Sequence, residues 1–168
     1  MEAFRRRGTA FLARMTPSES TLLGTLAGEL AELVQPLRSQ DDEWLPDPAI
    51  QRLFPDTYRD DAEASTEFRH FTQADQATNK AEAAQAVIAD IQNADGGWVT
   101  VTPDHVTAWL TTLTNLRLVL AARLGIVNED DASRLAKLPR HDPRATTVAV
   151  FDWCGWMLQL LVDAVAAA

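Results

Sequence analysis

Residues 16–37 read TPSESTLLGTLAGELAELVQPL. Thr16 followed three residues later by Glu19 makes a capping box, and Pro17 sits at the first helical position, where its missing N–H costs nothing. The helix opened there carries Leu22, Leu23, Leu26, Leu30, Leu33, Val34 and Leu37 on one face, the 3.6-residue period of a helix laid against a core. Gly24 and Gly28 lie four apart on the other face. They read as a tolerated exposed spot or as a place where another backbone comes close, the first being the commoner case in water.

Working outward, residues 3–15 (AFRRRGTAFLARM) predict a short β-hairpin turning at Gly8. Residues 39–47 form a polar loop around Trp44, and Asp47-Pro48 starts a short helix that ends before Pro55. A second short helix is expected over 61–71. Thr72 with Asp75 then caps a longer one to Asn93, lined by Ala74, Ala77, Ala81, Ala84, Ile88 and Ile91. Asp95-Gly96-Gly97 is a turn, and Trp98–Val101 reads as a third short strand pairing with the hairpin. Thr102-Pro103 opens a helix closed by Gly125. Residues 128–144 read as a loop with one helical turn near Ala132, and Asp142-Pro143 opens the last helix. The fold class is mainly α: a compact bundle of about five to seven helices with a small N-terminal hairpin, expected as one domain over 1–168.

Composition narrows the function. The chain has 168 residues, 46% of them apolar, with five tryptophans, enough to bury a core and too apolar for intrinsic disorder. No run reaches the roughly eighteen apolar residues of a membrane span, and no long apolar stretch follows Arg5-Arg6-Arg7 as a signal peptide would require. We therefore expect a cytoplasmic protein without membrane contact. The net charge of −9 opposes direct nucleic-acid binding, which rests on neutralising phosphates. Basic Arg5, Arg6, Arg7 and Arg14 gather at the N-terminus, whereas residues 41–67 are strongly acidic. A basic edge beside an acidic belt suits a protein partner, although a solvated surface is the plainer reading.

Arg117 is the most informative single residue. At 100° per residue it falls about 20° from Val106 and Leu124, inside the apolar face of its helix. A buried guanidinium requires pairing, so a carboxylate is expected, with Glu67 first, Asp61 second and Asp152 next. The plain reading is a buried ion pair that fixes helix register, and the other is anion binding or switching. Cys154, the one cysteine, excludes an internal disulfide and lies on the apolar face of the last helix beside Val150, Met157 and Leu161. It reads as a small core residue or as a redox thiol. The last helix is apolar over most of its circumference, with a polar strip of Asp152, Gln159 and Asp163. Trp156 near that strip is either core or the best interface candidate, with Arg5, Arg6 and Arg7 a second candidate surface. His70, His105 and His141 lack metal-ligand spacing, and no nucleophile elbow, phosphate loop or dinucleotide fingerprint is present. No catalytic residue, metal or cofactor is expected.

Two stretches, RLFPDTYRDDAEASTEFRHFT (52–72, with Asp75 and Lys80 following) and AWLTTLTNLRLVLAARLGI (108–126), resemble the core motifs of an actinobacterial family. It was long catalogued as a domain of unknown function and is associated with the AosR-type oxidative-stress regulator. The hairpin, the Glu19 helix and FDWCGWMLQLLVDAV (151–165) fit its layout. Arg59, Asp61, Glu67, Arg69, Arg117 and Arg123 match the family's charged positions, which implies a structural ion network. The resemblance also implies a helical cytoplasmic protein that senses oxidation through a cysteine pair and works with an alternative sigma factor of RNA polymerase. With Cys154 alone, an internal disulfide switch cannot operate here.

The leading expectation is a non-enzymatic, redox-linked regulator of transcription that binds a sigma factor or RNA polymerase and forms a homodimer. A regulator touching DNA through the Arg5–Arg7 hairpin is second, and an uncatalogued enzyme third.

Overall fold

The computed structural model describes residues 4–38, 47–55, 62–139 and 141–167, giving the helix but not the side chains of 62–71. Three strands, β1 (Arg5–Arg7), β2 (Ala10–Arg14) and β3 (Trp98–Val101), form an antiparallel sheet in the order β1-β2-β3. Arg7 pairs with Ala10 across a two-residue turn, and Phe11 pairs with Val101. The turn begins at Gly8 with φ +65°, a conformation that favours glycine. Gly97 is constrained twice over. Its φ is +82°, and a Cβ there would come within 2.9 Å of the Met15 carbonyl. The expected hairpin and its third strand are both present.

Six helices follow among the described residues: α1 (Pro17–Val34), α2 (Pro48–Leu53), α3 (Ala62–Gln92), α4 (Pro103–Leu124), α5 (Glu129–Leu135) and α6 (Ala145–Ala166). The fold is mainly α. The capping box at α1 forms as read. Glu19 N–H donates to Thr16 Oγ1 at 3.3 Å, and Glu19 Oε2 accepts from Thr16 N–H at 2.8 Å. α1 buries Leu23, Ala27, Leu30, Ala31 and Val34. Leu22, expected in the core, is 36% exposed. The chain tightens into a 3₁₀ turn over Gln35–Arg38, where Pro36 has no N–H to continue the helix. That turn still carries Leu37 into the core. A Cβ on Gly24 or Gly28 would meet nothing within 4 Å among the described residues, so neither glycine serves a close backbone approach there.

Three boundaries differ from expectation. The two helices expected over 61–93 are a single 31-residue helix, α3. No proline or glycine lies between Ala62 and Gln92 to break it, and Thr72 Oγ1 accepts from the Gln76 amide one turn on instead of capping a new start. Residues 129–135 form a capped helix rather than a single turn, because Asn128 and Asp131 make a second capping box. α6 begins at Ala145, not at Pro143, and Asp142 accepts the Arg144 N–H in the turn before it.

α4 is the central helix, touching α1, α2, α3 and α6. It buries Trp109, Thr112, Leu113, Asn115, Leu116, Leu120 and Ala121. Gly125 ends it at φ +69°. α6 lies on the flank of α4 and fully buries Cys154, Met157 and Leu161 against the core. The sequence reading found no run long enough for a membrane span. By length and composition, however, α6 is one described helix apolar enough to cross a membrane. Asp152 and Asp163 interrupt the apolar run, whereas the mean hydropathy over α6 stays high.

Candidate functional site

The site is built on the two long seams of α4. On the α3 side, Asp90 is only 9% exposed and lies one turn after fully buried Val87, so its carboxylate enters the core. Trp109, fully buried nearly two turns into α4, donates its indole N–H to Asp90 Oδ2 at 2.8 Å. His105, one turn earlier, places Nδ1 at 2.9 and 3.1 Å from the two oxygens of the same carboxylate. Phe4 closes the other side of Trp109 edge-on, with ring centroids 5.9 Å apart. A buried carboxylate is stable only when its oxygens are bonded, and both of Asp90's are. The sequence reading missed this cluster. Asp90 follows Ala83 and Val87 at helical spacing, but across α3 from the Ala74–Ile91 stripe.

On the α6 side, Arg117 lies in the seam as its position implied, partly exposed rather than fully buried. Its guanidinium carbon lies 4.9 Å from the centroid of Phe151, and Nε rests against Gly155, where a Cβ would come within 3.0 Å. Nε is buried and has no hydrogen-bond partner among the described residues. The flat cation is held by stacking on an aromatic face, in the space a missing side chain leaves. Asp61, like Arg59, lies outside the described residues, as do the side chains of Glu67 and Arg69, so the expected ion network rests on positions the structure does not describe. Asp152 is exposed and forms no ion pair with Arg117.

Arg123 belongs to a different contact. Its two terminal nitrogens reach both oxygens of Asp47 at 3.0 and 2.8 Å, tying the end of α4 to the cap of α2. The hydrogen bond from Arg123 holds the Asp47 carboxyl below its ordinary range. Arg52 donates to the Ile126 carbonyl close by. Lys80 is half-buried over the Phe54 ring at 5.4 Å, and burial lowers its pKa.

Cys154 is fully buried in the α4–α6 seam. Burial pushes its thiol up to about 11, with Arg117 opposing the shift. Such a thiol is a poor nucleophile at neutral pH. Trp156, by contrast, is 45% exposed and Val162 42% exposed, both on the side of α6 turned away from α4. Arg5, Arg6 and Arg7 are exposed on β1, the edge strand of the sheet. An open cleft of about 530 Å³ between α1 and α3 is lined by Glu32, Arg38 and Glu82, all exposed. Among the described residues no group of three or more His, Cys, Asp or Glu is placed to hold a metal ion.

The family described as "Domain of unknown function (DUF2017)" matches residues 1–165. The chain belongs to this family. It is similar to the oxidative stress regulator AosR of Mycobacterium bovis and to that of Mycobacterium tuberculosis. Each is 27% identical over 185 residues, spanning 94% of this chain and 83% of the relative. No solved structure matches. The match runs through both seams of α4 and through α6, so the features described above lie within the family's domain.

Proposed function

We propose that this chain is a non-enzymatic regulatory protein of the oxidative-stress response that acts by binding another protein, a sigma factor or RNA polymerase being the partner class. The observation that carries the reading is the outer face of α6. On it Trp156 stands 45% and Val162 42% exposed, and a large exposed aromatic of this kind is the usual anchor of a protein interface. The similarity to proteins named oxidative stress regulators supplies the context. The burial of Cys154 favours a reading in which the redox trigger is a group other than this thiol. A photo-crosslinking residue at position 156, introduced in the native host, tests the reading. Adducts with a polymerase subunit or sigma factor are expected. No protein adduct above that from a probe at exposed Lys137 would overturn it.

A second reading, direct DNA contact, draws on the three exposed arginines of β1. Duplex binding that falls steeply with salt would support it, and no measurable binding at low salt would sink it.

A further inference from the structure

The outer face of α6 has a charge pattern as well as an apolar one. At 100° per residue, Asp152, Gln159 and Asp163 fall in one line along it. Exposed Val162 flanks that line on one side and exposed Trp156 on the other. All three polar residues are exposed, and the Gln159 amide donates to Asp163 at 2.7 Å. α6 contains no lysine, arginine or histidine, and no described cation forms an ion pair with Asp152 or Asp163. Anything that covers this face removes two carboxylates from water, and that is unfavourable unless the cover brings cations.

We infer that the outer face of α6 docks an amphipathic helix of a different protein, with basic side chains about eleven residues, or ~16 Å, apart beside an apolar stripe. The inference rests on the protein-binding reading above and specifies its partner. A second copy of this chain is the wrong chemistry for the face. Packing α6 on α6 would bring four carboxylates into a seam with no cation on either helix. A bilayer would meet the same two carboxylates, and an anionic lipid surface would repel them.

Two fluorescein-labelled helical peptides test this against the full chain by fluorescence anisotropy. They share one leucine stripe and differ only in carrying arginine or glutamate at the two positions eleven apart. The arginine peptide binds and the glutamate peptide is at least about tenfold weaker. Asp152→Lys with Asp163→Lys reverses the preference, and Trp156→Glu weakens the arginine peptide about tenfold with the helical circular dichroism unchanged. Equal binding of the two peptides, binding by neither, or indifference to the α6 substitutions overturns the inference. Self-association in sedimentation velocity that Trp156→Glu abolishes assigns the face to a second copy and also overturns it. Co-sedimentation with phosphatidylglycerol vesicles that the same variant abolishes assigns the face to lipid, with the same consequence. A crosslink from position 156 to an acidic or non-helical segment of another protein overturns this inference and leaves the proposed function standing. No adduct at all overturns both.

Discussion

The two long seams of α4 are closed by opposite devices. Toward α3, a carboxylate enters the core and is fully bonded: Asp90 takes the Trp109 indole N–H and both of its oxygens reach His105. Toward α6, a cation lies across an aromatic ring and a glycine, and its Nε finds no partner among the described residues. The first seam is directional, since a one-residue slip would strand a buried carboxylate and an indole N–H. The second is held by shape, through Met157, Leu161 and Cys154. α6, held on one face by shape, leaves Trp156 and Val162 exposed on the other.

The largest effect should come from the directional seam. Asp90→Ala leaves the Trp109 N–H buried without an acceptor and should cost about 3 kcal/mol in urea unfolding. His105→Ala, whose ring is 39% exposed, should cost about 1 kcal/mol. If the two costs come out equal, the carboxylate is not what holds this seam.

Next is the pH dependence of Cys154 in the other seam. Its folded pKa of about 11 stands above the ordinary 9.0, so the native state keeps a proton that the unfolded chain loses. Its contribution is therefore fully present below pH 9 and is lost as pH rises toward 11, by up to about 2 kcal/mol. Cys154→Ala should lack this loss when its thermal stability is compared with the parent between pH 8 and 11. Alkylation of the native thiol at pH 7 should accordingly be slow, and an unfolded-like rate would remove the raised pKa from the description of this seam.

A smaller effect separates stacking from ion pairing. Gly155→Ala should be near neutral in the parent, where the gain in helix propensity is offset by the approach to Arg117 Nε. In an Arg117→Ala background the same change should stabilise by about 1 kcal/mol. Additive effects in that double-mutant cycle would show that the guanidinium is not seated on Gly155. The smallest effect is on the outer face: Trp156→Glu should change stability by less than about 0.5 kcal/mol, and a larger loss in urea unfolding would mean that Trp156 serves the core.

Much of the fold was legible because it is written locally. The Thr16–Glu19 box, Gly8 at its turn and Gly125 at its helix end each depend on neighbours a few residues away. The continuity of α3 was misread because Thr72 has the chemistry of a cap, and only the residues around it decide whether the cap is used. Leu22 was misplaced because helical period gives the width of an apolar face and not how much of it a neighbour covers. At the site, Arg117 stands out by its angle on α4, whereas Asp90 lies across α3 from the Ala74–Ile91 stripe, in a second seam with Ala83 and Val87 that only the packing reveals.

By itself the sequence determined a mainly helical chain with a small sheet, the absence of an internal disulfide and an acidic surface with a basic N-terminal edge. These follow from composition, caps and periodicity, which do not depend on what packs where. Only the tertiary structure decided that Asp90, His105 and Trp109 meet, that Arg117 stacks on Phe151, and that Cys154 is sealed while Trp156 stands in solvent. Those outcomes depend on which helix lies against which, and residues distant in sequence are brought together only by the packing of the core.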